Sequence, residues 1–338
     1  MTKVGVMGAG AIGCWVGGRL AASSRDVVFV GRPRVREELA QHDLVTLDLA
    51  GAAERAAKEQ VVVATDAAVL ADRDVVLVAV KSAQTAETAD TLSSLLHPGA
   101  LVVSLQNGLR NVEVLRARMP AQVVVGAIVG FNVVSKGPGI YRQATAGSII
   151  LEDVRDERVR SLADALGAAG IDVERVAGLR AHQWAKLVMN LNNAVSALSD
   201  APSRDLVFVP GYRRVVAAIV SEAVAVMRAA KIRPARLRGI PVHLFPFLLR
   251  LPTPMVKLVA RAQLKIDPDA RSSMWEDLAR GRRTEVDDLN GEIVRLADSC
   301  GAAAPLNRRI VELVHEVEAR AAGSPKMSPE ALAAAIGM

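Results

Sequence analysis

Near its amino terminus the chain runs from a short apolar stretch, Val4–Met7, directly into Gly8-Ala9-Gly10-Ala11-Ile12-Gly13. A strand that ends in G-x-G-x-x-G and opens a helix constrains a chain more than any bulk property. The first glycine permits a tight turn, the second lets the backbone approach a pyrophosphate, and the third allows close helix–strand packing. The unpaired N–H groups and positive dipole end at the helix start favour phosphate. Gly8, Ala9, Gly10, Ala11, Ile12 and Gly13 are therefore expected to form the cofactor-binding loop of a dinucleotide site.

The pattern that follows fits this reading. Val4–Met7, Val27–Val30, Val61–Ala64, Val75–Val80 and Leu101–Ser104 are near-continuous apolar runs, as expected of parallel strands buried on both faces. Helical stretches at 11–22, 34–40 and 84–96 lie between them. This βαβ rhythm argues for a doubly wound sheet. Further β-rich runs follow at 123–134 and 148–152, then a helix at 156–169 and a short strand over Ile171–Val176.

After Gly178 helical periodicity takes over, at 179–199, 211–230, 254–264, 274–299 and 306–321, with a short helix expected in the tail 322–338. The expected architecture is an α/β Rossmann-like amino-terminal domain, 1–178, followed by an all-α carboxy-terminal domain, 179–338. A length of 338 residues suits two domains. The Pro-rich apolar segment 234–254 is either a buried connector or a partner surface.

Composition narrows the function classes. The net charge of +6 is mild and the basic residues are scattered. Aromatics make up only 3%, so no basic face carries stacking rings, and nucleic acid is not expected as a partner. The apolar stretch 240–260 is broken by Arg250, Lys257 and prolines, so a membrane span is not expected either. Cys14 and Cys300 match neither a metal site nor a disulfide framework. No signal peptide is read ahead of the first strand, and the expectation is a reduced, cytoplasmic chain without metal.

The strand ends carry the next candidates. An NAD site usually has Asp or Glu at the end of the second strand, for the ribose hydroxyls. Here Val30 is followed by Gly31 and Arg32, and a guanidinium suits a 2′-phosphate. NADP (as NADPH) is therefore the expected cofactor. Lys81 and Asn107 follow the next two strands. Singly they could be a surface lysine and part of a turn, but ligands in such sheets sit outside the carboxyl ends of the strands.

The chemistry is expected in the second half. At 100° per residue, Asn190 lies about 40° round a helix from Lys186 and Asn193 about 20° the other way. The remaining circumference is largely apolar, with Leu187, Val188, Met189, Leu191 and Val195. Lys186 must then be paired, reach a polar cavity, or snorkel at the helix edge. Glu285 falls within an apolar stripe of Met274, Leu278, Gly281, Leu289 and Leu296, and wants a cation: Lys186, or a neighbouring Arg282 or Arg283. Ser272 and Ser273 either cap the helix that follows or bind a carboxylate.

These pieces together resemble the ketopantoate reductase (2-dehydropantoate 2-reductase) family. The matching segments are GAGAIG at 8–13, Arg32, VKSAQT at 80–85, QNG at 106–108, WAKLVMN at 184–190 and SSMWEDL…TEVDDLNG from Ser272 to Gly291. The glycine motif is generic, and the last two blocks are far more specific. The resemblance runs essentially from residue 3 to 315. It implies an active site in the cleft between the two domains and hydride transfer from NADPH to ketopantoate, a small 2-oxo acid, giving pantoate for coenzyme A synthesis. Lys186 would be the general acid. Glu285 would hold the lysine or a substrate hydroxyl, and Ser273 the substrate carboxylate. Asn190 would bind substrate, Asn107 would lie by the nicotinamide ribose, and Lys81 near the cofactor.

The resemblance admits a homodimer. The chain departs from the family at Ala194 and Ala270, where relatives carry asparagines. Asn193 shares the polar stripe and is a further substrate-binding candidate, although it sits one residue from the family's place. These departures bear on which 2-oxo acid or ketone is bound more than on the reaction. A non-catalytic NADP-binding sensor would need the glycine loop but no Lys–Glu pair.

Overall fold

The computed structural model describes residues 2–237, 239–263 and 271–338. Ala270 lies outside the described residues. The chain divides into two compact units, the first ending at Leu179 and the second beginning at Arg180.

The strands of the first unit are β1 Val4–Met7, β2 Val27–Val30, β3 Leu44–Leu47, β4 Ala53–Ala56, β5 Val62–Ala64, β6 Val75–Val78, β7 Leu101–Ser104, β8 Val123–Val129, β9 Val133–Gly137, β10 Ile140–Gln143, β11 Ile149–Glu152 and β12 Val173–Val176. Its helices are α1 Ala11–Ala22, α2 Pro33–Gln41, α3 Thr85–Leu95, α4 Asn111–Arg118 and α5 Glu157–Ala168.

Among the described residues, eight strands form one sheet in the order β12-β11-β8-β7-β6-β1-β2-β5. The pairs are parallel except β8 with β11, so the sheet is mixed at that edge rather than wholly parallel. Alternate residues serve opposite faces. Val27, Phe29, Val75 and Leu77 pack with Trp15 of α1 and Leu162 of α5. Val28, Val30, Val76 and Val78 pack with Leu92 of α3 and Leu115 of α4. Burial on both faces explains the continuous apolar runs in the sequence.

A second sheet, β4-β3-β10-β9, lies against α1. Trp15 anchors it: its indole N–H donates to the Leu47 carbonyl at 2.9 Å, and its ring meets Phe131 edge-on at 4.9 Å. The sequence reading missed this sheet. The 123–134 run also divides into β8 and β9, and α4 was not foreseen.

The second chain segment is helical: α6 Leu179–Asn190, α7 Asn192–Ser199, α8 Ser203–Phe208, α9 Pro210–Ala229, α10 Phe245–Arg250, α11 Thr253–Gln263, α12 Ser273–Ala279, α13 Asn290–Cys300, α14 Pro305–Arg320 and α15 Pro329–Ala335. The buried face of α9 carries Val215, Ile219, Val220, Ala223 and Val226. Glu222 on the same helix accepts from the N–H groups of Leu306 and Asn307 at 2.8 Å each, capping the otherwise unpaired start of α14.

Two expected helices are interrupted. The 179–199 helix breaks at Leu191, between α6 and α7, although the Leu191 N–H still reaches the Leu187 carbonyl at 3.1 Å. The 274–299 helix does not exist as one element. It stops at Ala279, and Gly281 takes a left-handed turn (φ +59°) that an α-helix cannot continue. A 3₁₀ turn, Val286–Asp288, then precedes α13. Segment 234–254 is mixed in burial: Val242 and Pro246 are buried, while Leu244 and Phe247 are exposed. No described helix is long and apolar enough to cross a membrane.

Candidate functional site

In the first unit the strand order turns back at β1, with β2 and β5 on one side and β6, β7 and β8 on the other. Ligands in such sheets bind outside the carboxyl ends at this switch point. Met7 is registered with Val30 and with Val78, and Val78 with Ser104. Gly8, Arg32, Lys81 and Asn107 therefore follow neighbouring strand ends along one edge.

The glycine loop is held tightly on two sides and is open on a third. Gly8 has φ +114°, and a Cβ there would meet the Ala79–Val80 backbone at 2.7–2.8 Å. A Cβ at Gly13 would run into the Gly8 carbonyl and the Val6 side chain. A Cβ at Gly10 would meet nothing within 4 Å. Gly10 is the N-cap of α1 and supplies no side-chain cap, while Ala11 and Ile12 open the first turn, half-buried. Ala9 is buried. The free space beside Gly10 lies at the amino-terminal end of α1, where a helix leaves its first N–H groups without intrahelical partners, and it fits a pyrophosphate.

Arg32 is exposed and occupies the N-cap of α2, with Pro33 at the first helical position. Arg34 and Arg36 are exposed on the same turn. The described backbone leaves no carboxylate between Val30 and Arg32. Lys81 and Asn107 are both half-buried, Lys81 as the N-cap of a 3₁₀ turn over Ser82–Gln84.

The sequence reading missed a buried polar chain beneath these two residues. The Ser104 hydroxyl donates to Gln106 Oε1 at 3.1 Å. Gln106 Nε2 donates to the Val80 carbonyl at 3.1 Å and to the Thr85 hydroxyl at 2.7 Å. Thr85 donates to Asn111 Oδ1 at 2.9 Å, and Asn111 Nδ2 donates to Ser82 Oγ at 3.0 Å and to the Asn107 carbonyl at 2.5 Å. Only the Q of QNG and the T of VKSAQT hinted at it.

In the second unit Lys186 is half-buried on α6, between the buried Ala185 and Leu187. Crowding by protein atoms penalises its charged form and pulls its pKa from 10.5 to about 8, while the Glu285 carboxylate acts in the opposite direction. Glu285 is thus near enough to Lys186 for its charge to be felt there. Glu285 does not lie on a helical stripe, as expected from periodicity; it leads into the 3₁₀ turn, half-buried. Arg282 is paired with the buried Asp277 at 3.0 Å, and Arg283 is exposed.

The loop around Glu285 is pinned from two helices. The Thr284 N–H donates to Glu318 of α14 at 2.7 Å, His315 meets Asp287 at 3.1 Å, and Arg295 of α13 donates to the Asp287 carbonyl at 2.7 Å. Asp288 is half-buried beside it. Burial and then the Glu285 charge hold its carboxyl above the ordinary range.

Ser272 and Ser273 take different roles. Ser272 is buried and caps α12, accepting from the Trp275 N–H at 3.1 Å and donating to the Asn193 carbonyl at 3.1 Å. Ser273 is exposed at the first position of α12. Asn190 and Asn193 are half-buried on the two sides of Leu191, whose backbone stays in the right-handed helical region (φ −60°, ψ −24°). Ala194 is fully buried. Arg271 is paired with Asp200 at 2.7 Å and stacks over Trp275 at 4.5 Å, and Trp275 Nε1 also donates to Asp200, at 2.7 Å. This clasp joins the end of α7 to the start of α12.

Comparison with known proteins places these features in a family. A family model described as ketopantoate reductase PanE/ApbA matches residues 4–156, and one described as ketopantoate reductase PanE/ApbA C terminal matches residues 178–318. A 2-dehydropantoate 2-reductase of Halobacterium salinarum is 33% identical over 326 residues, covering 92% of this chain and 97% of the relative. One of Archaeoglobus fulgidus is 29% identical over 321 residues, covering 94% and 98%. Among solved structures, a PanE/ApbA family ketopantoate reductase from Ralstonia eutropha JMP134 superposes with a TM-score of 0.80 at 32% identity, over 95% of this chain and 99% of that one.

Proposed function

Because the chain belongs to the ketopantoate reductase family, we propose that it reduces 2-dehydropantoate to pantoate with a hydride from NADPH. The observation that carries the chemistry is the Lys186 ammonium, half-buried, opposed by Glu285 and lowered to about 8. A donor with a pKa near the working pH is suited to general acid catalysis.

The first unit holds the cofactor in this reading. The N–H groups at the start of α1 take the pyrophosphate beside Gly10, Arg32 takes the 2′-phosphate, and Lys81 and Asn107 flank the nicotinamide end. NADPH, when bound, supplies the hydride to the 2-oxo carbon. The second unit binds the acid. As the carbonyl oxygen gathers the electron pair, Lys186 gives it a proton, leaving an alcohol and a neutral amine that regains a proton from solvent. Glu285 orients the ammonium or holds the terminal hydroxyl. Ser273 takes the carboxylate, and Asn190 and Asn193 complete the polar lining. The homodimer reading is supported by exposed Leu244, Phe247, Met255 and Leu258, side chains that association would cover.

The test is loss of NADPH absorbance with a panel of 2-oxo acids. The expected result is the highest kcat/KM with ketopantoate. Ala194 offers no amide, so discrimination against 2-oxoisovalerate, which lacks the hydroxyl, is expected to be weak. Faster reduction of 2-oxoisovalerate would leave only the reaction class standing. Binding of NADPH without reduction of any 2-oxo acid would favour a sensor.

A further inference from the structure

The buried chain from Ser104 to Asn111 has a direction. Each Gln106 Nε2 proton is used, on Val80 and Thr85. The Thr85 hydroxyl accepts from Gln106 and donates its one proton to Asn111. Both Asn111 Nδ2 protons are used, on Ser82 and the Asn107 carbonyl. Turning the Asn111 amide over would set its oxygen against the Asn107 carbonyl, so the orientation is fixed by the partners. Ser104, Thr85, Gln106 and Asn111 are all at least nine-tenths buried, where a lost partner is costly.

The chain spans two loops that, among the described residues, no strand pairing joins. One follows β6 and carries Val80, Lys81 and Ser82; the other follows β7 and carries Gln106 and Asn107. Their strands are paired through Val78 and Ser104, with a last backbone bond from the Leu105 N–H to the Val78 carbonyl at 2.9 Å, and the two segments then lead into different helices. Thr85 touches both Gln106 and Asn111.

We propose that Thr85 and Asn111 are positioning residues for the nicotinamide cofactor: the Gln106–Thr85–Asn111 relay locks the two loops together so that Lys81 and Asn107 are set before the cofactor arrives. This rests on the assignment of Lys81 and Asn107 to NADPH made above. Without the Thr85 hydroxyl, Asn111 and Gln106 lose a shared partner and the loops sample other arrangements. If the competent arrangement falls to about a tenth of molecules, the NADPH dissociation constant rises about tenfold.

The experiment is NADPH fluorescence titration of the full chain without substrate, on the unaltered protein, Thr85→Val and Thr85→Ser. Thr85→Val is expected to weaken binding about tenfold and to raise the NADPH KM while kcat at saturating NADPH stays near the unaltered value. Thr85→Ser keeps the hydroxyl and is expected to restore binding. Equal affinity in Thr85→Val, or failure of serine to restore it, overturns the proposal. Should Thr85→Val not fold, Ser104→Ala decides instead: it removes the donor that orients Gln106 and touches neither Lys81 nor Asn107. Weaker binding in that variant supports the relay, and unchanged binding overturns it. An unaltered protein that fails to bind NADPH refutes the cofactor assignment itself, a separate outcome.

Discussion

The hydroxyl of Ser272 stands 3.1 Å from the backbone carbonyl of Asn193, so one oxygen both caps α12 and ties it to α7. Ser272→Ala removes the cap and the tie together. The expected loss is about 1–2 kcal/mol of stability, read as a lower midpoint in urea. Because Asn193 is one end of this tie and Ser273 follows the other, the ketopantoate KM should rise as well. A variant with unchanged midpoint and KM would show that the Arg271–Asp200–Trp275 clasp holds the two helices without help.

Lys186 gives two opposite pH trends. As an acid catalyst it must carry its proton, so kcat/KM for reduction should fall as the pH rises through about 8. Stability runs the other way. The folded pKa lies below the ordinary 10.5, so the folded state binds fewer protons than the unfolded state between those values. The penalty on the crowded, half-buried charge is complete below about 8 and is relieved as the pH rises toward 10.5. Lys186→Met should thus lower turnover at least about 100-fold and be no less stable than the unaltered protein at neutral pH. Turnover that survives while NADPH affinity collapses would make Lys186 a cofactor ligand instead.

Arg32→Ala isolates the cofactor choice. Hydrogen bonds to charged groups are worth about 1.5–3 kcal/mol, so the NADPH KM should rise on the order of tenfold or more while NADH use hardly changes. Equal use of both cofactors by the unaltered protein would remove the role given to Arg32.

Arg19 is a buried cation with little to hold it. It is 5% exposed, its Nε and one terminal nitrogen lack hydrogen-bond partners, and its guanidinium lies 5.1 Å over the Trp15 ring. The ring offsets only about 0.5–2 kcal/mol of desolvation. Arg19→Met should therefore leave the melting temperature unchanged or raised; a marked fall would mean that this cation is better compensated than its neighbours indicate.

The fold class was legible because a strand buried on both faces must be apolar throughout, as Val27–Val30 and Leu101–Ser104 are. The smaller sheet was not, because Ala53–Ala56 reads AERA, with its first three residues exposed and no β-branched side chain. Its placement comes from pairing with β3, which local sequence cannot express. Apolar periodicity carried the expected 274–299 helix across Gly281, and no glycine or proline marks the break at Leu191. Within the candidate site, Lys186 and Glu285 stood out as charges among apolar neighbours. Thr85, Gln106 and Asn111 did not, since polar residues near turns are common and only three-dimensional proximity makes them a relay.

The three glycines of the amino-terminal loop answer to different masters. Replacing Gly8 or Gly13 by alanine would drive a methyl group into backbone atoms that are there with or without a ligand, so the fold itself forbids both changes. Gly10 has an ordinary extended backbone, φ −88°, and free space where its side chain would be. A Gly10→Ala chain should express, fold and melt like the original, and reveal its defect only on addition of NADPH. The hexapeptide thus contains two kinds of selection: one that an apo-protein screen would detect at once, and one invisible to any assay of folding.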